Sequence, residues 1–196
     1  IDGRLRHSYR AGQAKHSALL DDYANMIRAA ISLYEATFKP TYLDTAEGWI
    51  ENVEIHYRDH DNGGYFYSAD DAEALITRTR TVVDSAIPAG NGVMVQVLAK
   101  LFHLTGNDRY RADATASLRA FAPEAHSNVL AVPTLLNAFD LLTNATQVVI
   151  IGPAQLNATQ DLTRQVFRAS VPNLAFLKLE TTDKLPPTHP AAGKMQ

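Results

Sequence analysis

The chain has no cysteine among its 196 residues. Disulfides, thiolate metal sites and a cysteine nucleophile are therefore excluded within it. The absence fits a reducing compartment, and a cytoplasmic location is expected. An excess of positive charge is also missing: 18 Lys and Arg stand against 21 Asp and Glu, a net charge of −3. Neither a nucleic acid nor an anionic membrane is expected as a partner, since both normally require a basic face. No apolar run approaches the roughly 20 residues of a bilayer span, and no signal-peptide pattern opens the chain. It begins at Ile1 without an initiator Met and stops at GKMQ after the proline-rich LPPTHPAAG, which reads as a piece of a longer protein.

What is present is the mix of a soluble globular domain, 46% hydrophobic and 20% charged. From Ser17 to Phe38 apolar residues return at helical spacing (Leu19, Leu20, Tyr23, Met26, Ile27, Ala30, Ile31, Tyr34 and Phe38), which predicts a helix capped by Ser17 with Asp21 and Asp22 in its first turns. Pro40 stops it and opens a second helix to about Tyr57. A third is expected from Asn91 to Leu104 and a fourth from Asp108 to Ala122. A fifth falls within 127–142, where Pro133 either kinks it or marks its start. Residues 1–16 read as a loop or irregular hairpin, and the DNGG turn before Tyr65, Phe66 and Tyr67 as a short β-excursion. The runs QVVIIG and LAFLKLE flank a helical segment and predict a small β-α-β element. The expected organisation is a mainly α body over 1–145, a β-α-β appendage over 146–180 and a proline-rich tail over 181–196.

The body contains a repeat. ISLYEATFKPTYLDTA and AKLFHLTGNDRYRADA superpose at one constant offset, pairing Leu33 with Leu101, Thr37 with Thr105, Tyr42 with Tyr110 and Ala46 with Ala114. The same offset pairs Met26 with Met94 and Ile50 with Leu118. Two helical hairpins of one design follow each other, a pattern that buries its apolar faces by stacking into a solenoid or a closed ring. The long connections then fall at one end, and they hold most of the His, Arg and Asp residues fit for chemistry.

The runs HSYRAGQAKHSALLDDYA, LYEATFKPTYLDTA, GGYFYSADD, DSAIPAGNGV, LTGNDRYRADA and VVIIGP, in that order, resemble the C-terminal part of the YyaL family. These are thioredoxin domain-containing proteins related to a spermatogenesis-associated protein of animals. The resemblance covers nearly the whole chain. It implies an (α/α)6 toroid of the six-hairpin glycosidase type, similar to N-acylglucosamine 2-epimerases, of which this chain holds about the last half. It implies a carbohydrate-active or carbohydrate-binding domain, with a sugar epimerase, isomerase or glycoside hydrolase as the enzyme type. A sugar ligand and the N-terminal thioredoxin-like domain of the same protein are the implied partners, and no cofactor is implied. The alternative is a non-catalytic scaffold serving that redox domain. Where the family pattern has Gly-Ala after this acid and Ser-Gly-Asn-Ser later, this chain has Asp84-Ser85-Ala86 and Ala89-Gly90-Asn91-Gly92. The change removes two serine hydroxyls and keeps the acid, Pro88 and the amide.

Candidate site residues follow from chemistry and position. Asp84 and Asn91 offer a carboxylate and an amide for sugar hydroxyls or proton transfer. Equally, Asn91 caps the third helix while Gly90 supplies a backbone angle that other residues resist. Asp22 and Asp84, from neighbouring hairpins, suit the paired carboxylates of glycoside hydrolysis. Only one of the adjacent Asp21 and Asp22 is expected to face a cavity, since neighbours on a helix point about 100° apart. His7, Arg10 and His16 gather in the entry segment and His126 precedes the fifth helix; His16 is assigned as proton relay and Arg10 as a holder of an anionic oxygen. Tyr23 is placed in the cavity wall. Tyr65 either stacks on a sugar or packs with Phe66 and Tyr67 as a plain hairpin. No metal is expected, as DHDNGG lacks the later acid of a calcium loop.

Overall fold

Leu19, rather than Ser17, precedes the first long helix, because Ser17 is drawn into a β-hairpin. The structure, a computed structural model, describes residues 3–72, 77–180, 185–189 and 192. Strands β1 (Arg6–Arg10) and β2 (Gln13–Ser17) pair antiparallel, with Arg6 opposite Ser17. Their two-residue tip, Ala11 and Gly12, has positive φ at both positions, as a tight hairpin matched to strand twist requires.

Seven α-helices follow among the described residues. α1 (Leu20–Thr37) and α2 (Pro40–His56) form one hairpin, α3 (Gly90–Thr105) and α4 (Asp108–Ala120) the next. α5 (Ala122–Ser127) and a short 3-10 turn lead to α6 (Pro133–Asn144), so Pro133 marks a start and not a kink. α3 lies between α1 and α6 and is buried on nearly every side. This inner position explains where the repeat departs from symmetry. Met94 on α3 is fully buried while its counterpart Met26 on α1 is 44% exposed, because α1 has an inner neighbour on one side only.

The two hairpin turns have the same construction. Thr37 and Thr105 each donate a hydroxyl hydrogen bond to the carbonyl four residues back, Leu33 and Leu101, and each accepts a backbone N–H two residues on. Phe38 and Gly106 then close the helices in the left-handed region, φ 55° and 71°. Ala46 and Ala114, both without exposure, are the small residues that let the outer helices sit close.

Strands β3 (Thr146–Ile151) and β4 (Leu174–Leu179) pair in parallel around α7 (Asn157–Arg168). The free edge of β4 docks on the helices: Glu35 Oε1 accepts the Phe176 N–H at 2.9 Å, and Lys100 Nζ donates to the Leu174 carbonyl. In the tail, His189 is buried against Gly106, where a Cβ would lie 2.6 Å from the His189 Cα. Residues 181–184, 190–191 and 193–196 of the expected tail lie outside the described residues. The described residues are mainly helical with two small sheets, and no helix among them is long and apolar enough to cross a membrane.

Candidate functional site

VVDSAIPAGNGVM, residues 82–94, is where the starts of three inner helices meet. Asp84 Oδ1 accepts the N–H of Ala89, the residue before α3, at 2.7 Å. Its Oδ2 accepts the N–H of Thr134, the second residue of α6, also at 2.7 Å. One carboxylate thus satisfies orphan donors at two helix N-termini and sits at the positive ends of both dipoles. Asn91 does not cap α3, contrary to expectation. Its carboxamide is buried and turned outward, accepting the Tyr65 N–H at 2.8 Å and donating to the Tyr65 and Thr81 carbonyls at 2.9 Å each. Gly90 is not needed for an unusual backbone angle either, since its φ is not positive. It is needed for space: a Cβ there would overlap Asp21 Oδ1 and lie 3.0 Å from Leu20 Cγ. Gly92 does the same on the other side, where a Cβ would lie 3.0 Å from Thr134 Cγ2. The two glycines let α1 and α6 approach α3 at one end.

Above that junction lies a hollow of about 400 Å³, walled by β1, the first turns of α1 and Ile87. Asp22 Oδ2 holds His7 Nδ1 at 2.8 Å and also accepts the Leu19 N–H at 2.8 Å, so one carboxylate caps α1 and orients an imidazole. With Nδ1–H donated to Asp22, the His7 Nε2 lone pair is the basic position of the ring. Asp21 borders the same hollow. Burial holds its carboxyl above the usual range, against the Gly90 N–H it accepts and with the Asp22 charge adding to the rise. The hollow thus brings together an imidazole held by Asp22 and a carboxyl that burial shifts upward, groups of the kinds used in proton transfer. Both adjacent aspartates therefore line the hollow, correcting the expectation of one.

The remaining predicted residues are distributed around it. His16 lines a second hollow that shares Arg6 with the first. Arg10 is exposed at the hairpin tip, and His126 is exposed on α5. Asp84 and Asn91 belong to the frame beneath and are not among the walls. Tyr23 and Tyr65 have no exposed surface: the Tyr23 hydroxyl accepts the Leu5 N–H at 3.1 Å, and the Tyr65 hydroxyl donates to Glu54. Arg6, His7, Asp21 and Asn25 are the polar wall residues that the sequence assignment left out or ranked below Asp22. A usable signal existed in the spacing Asp21, Asn25, Arg28, Ser32 and Glu35. At about 100° per residue these form one polar stripe along α1, beside the buried stripe of Leu20, Tyr23, Ile27, Ile31 and Tyr34.

One group of potential metal ligands occurs among the described residues, His56 with Asp70 and Asp71, whose ligand atoms lie within 4.8 Å of one another. His56 Nδ1 is already 2.8 Å from Asp70 Oδ1, and the Arg4 guanidinium donates to both oxygens of Asp71, one of them at 3.0 Å. The Arg4 hydrogen bonds and charge, with His56 adding, hold the Asp71 carboxyl below its usual range despite burial. The group ties the entry segment to the end of α2.

No family model matches the chain. It is 28% identical to spermatogenesis-associated protein 20 of Homo sapiens over 173 residues, 85% of this chain and 22% of that protein. It is 30% identical to spermatogenesis-associated protein 20 of Rattus norvegicus over 160 residues, 81% of this chain and 20% of that protein. An uncharacterized protein of Caenorhabditis elegans is 22% identical over 94% of the chain. The chain thus spans about a fifth to a quarter of the length of the curated relatives it matches, and it is similar to one region of spermatogenesis-associated protein 20.

Proposed function

We propose that this chain is a carbohydrate-active domain of the sugar epimerase or isomerase type. It would form an arc of an (α/α)6 toroid from the C-terminal part of a YyaL-type thioredoxin domain-containing protein in the cytoplasm. The observation that carries the reading is the hollow in which His7, oriented by Asp22, faces Asp21. Isomerisation of an aldose to a ketose needs a base that takes the proton from the carbon beside the carbonyl and returns it to the former carbonyl carbon, and an acid that protonates the carbonyl oxygen and recovers a proton from the neighbouring hydroxyl; epimerisation needs in addition a proton donor on the opposite face. His7 Nε2 suits the first role and the Asp21 carboxyl the second. The wall also carries hydrogen-bonding groups on Arg6 and Asn25 and an apolar surface from Met26 and Ile87, a mixture suited to a sugar's hydroxyls and C–H face. The ring arrangement is supported by the exposed apolar residues Leu33 on α1 and Leu136 and Phe139 on α6, at opposite ends of the arc. Neighbouring hairpins would cover both. Residues 1–145 form the arc in this reading and 146–180 its β-α-β appendage.

Those same apolar residues favour one second reading, a scaffold whose α1 and α6 flanks dock a protein partner such as a thioredoxin-like domain. Calorimetry of the full-length protein against a panel of monosaccharides and disaccharides separates the two. The proposal expects binding that His7→Gln and Asp21→Asn weaken or abolish without a change in melting temperature. It further expects carbon-bound hydrogen exchange with solvent deuterium that His7→Gln slows by about 10²–10⁴-fold. No sugar binding across the panel would overturn it in favour of the scaffold.

A further inference from the structure

A second cavity lies away from that hollow, where the β-α-β appendage covers the middle of α1 and α3. Its volume is about 360 Å³, within the range of small-ligand sites. The repeat offset places equivalent residues of the two inner helices in its walls: Arg28 and Ser32 of α1 correspond to Gln96 and Lys100 of α3. The opposite side is apolar, with Phe167 of α7 packed edge-on against Phe176 of β4, ring centroids 5.4 Å apart.

The charges in these walls do not cancel. Arg28, Lys100 and Glu35 are the charged residues lining the cavity, two positive and one negative, for a sum of +1. Glu35 is taken by Lys100, at 3.0 Å, and by the Phe176 N–H. Arg28 donates to the Asn25 carboxamide at 2.8 Å, a neutral partner, and forms no ion pair among the described residues. The guanidinium thus stands at the exposed rim of the cavity as a cation that no carboxylate among the described residues pairs with. Gln96 adds a second shortfall, since its Oε1 is buried and receives no hydrogen bond among the described residues. One negative charge, one hydrogen-bond donor and an apolar body would complete the site. A dianion such as a phosphate ester would leave a charge over and meet Glu35.

We propose that this cavity binds a small 2-hydroxycarboxylic acid, its carboxylate on Arg28, its hydroxyl donating to Gln96 and its apolar body against Phe167 and Phe176. The cavity is distinct from the sugar hollow, which it adjoins through the Arg28–Asn25 hydrogen bond, and this reading does not rest on the sugar assignment.

The test is calorimetry of the full-length protein with three probes: 3-phenyllactate, 3-phenylpropionate, which lacks the hydroxyl, and 3-phenyllactamide, which lacks the charge. The expected order is 3-phenyllactate first, 3-phenylpropionate about tenfold weaker, as loss of one buried hydrogen bond implies, and no binding of the amide. Arg28→Gln, a change at an exposed position, should abolish carboxylate binding at an unaltered melting temperature. Gln96→Met should erase the preference for the hydroxyl while keeping the carboxylate. His7→Gln should leave all three affinities unchanged, so that loss of the sugar reading and loss of this one are told apart. Absence of binding by 3-phenyllactate, equal affinity for acid and amide, or undiminished binding by Arg28→Gln would each overturn the proposal.

Discussion

Asn91 and Tyr65 are tied backbone to side chain in both directions, the Asn91 Oδ1 accepting the Tyr65 N–H and its Nδ2 donating to the Tyr65 carbonyl. Both looked like sugar-binding residues by type and position. In the fold they mimic a pair of strands, with a carboxamide standing in for the missing peptide. Asn91→Leu leaves buried backbone groups without partners and should cost about 2–4 kcal/mol of stability. Urea denaturation measures this directly, and ligand affinity at the hollow beside α1 should be unchanged in the molecules that remain folded.

Asp84 serves two helix starts at once, so its two oxygens are not interchangeable with one. Asp84→Asn keeps a single acceptor oxygen and loses the negative charge between two positive helix ends. The expected cost is about 1.5–3 kcal/mol, seen as a lowered melting temperature. A variant with reduced catalysis and undiminished stability would instead place Asp84 in the chemistry.

The helices, their hairpin pairing and the repeat were legible in the sequence because periodicity and Pro40, Gly106 and Pro133 are local signals. The hollow was only partly legible. His7 comes beside Asp22 through the fold-back of β1 over α1, and nothing in the spacing of residues 7 and 22 encodes that crossing. Asp84 and Asn91 misled for a related reason. Polar residues crowded before a buried helix suit a ligand site and a junction of helix ends equally, and the deciding fact is the arrival of Thr134 from 50 residues along the chain. Gly90 was read as conformational when its role, like that of Gly92, is clearance, a property of the neighbours Asp21 and Thr134.

The appendage hangs on few polar contacts, chief among them the pair Glu35 and Lys100 at the edge of β4. Lys100→Met removes the donor to Leu174 and leaves Glu35 half-buried without its cation. Hydrogen exchange should then quicken by roughly 10–100-fold in β3 and β4, the equivalent of one charged hydrogen bond. Amides of α1 and α3 should keep their protection. Uniform loss of protection would mean that the appendage and the helices unfold as one unit.

Acid should loosen the end of α3. His103 is buried with Nε2 on the Leu141 carbonyl at 3.1 Å, which fixes the proton on Nε2 and leaves Nδ1 with no partner among the described residues. Burial lowers its pKa from 6.5, against hydrogen bonds to the Leu141 and Leu142 carbonyls and with the charges of Lys100 and His189 adding. Burial also lowers His189, held by the carbonyls of His103 and Leu104. In both cases the folded state binds a proton less readily than the unfolded one. Between the two pKa values the unfolded chain carries more protons, so stability must rise with pH across that window. The contribution is complete above about pH 6.5 and is lost as the pH falls from there toward the folded values. Urea midpoints from pH 7.5 down to pH 5 should therefore fall, and fall less steeply in His103→Gln, whose side chain keeps a donor and cannot titrate. An identical slope in that variant would assign the acid sensitivity to other groups.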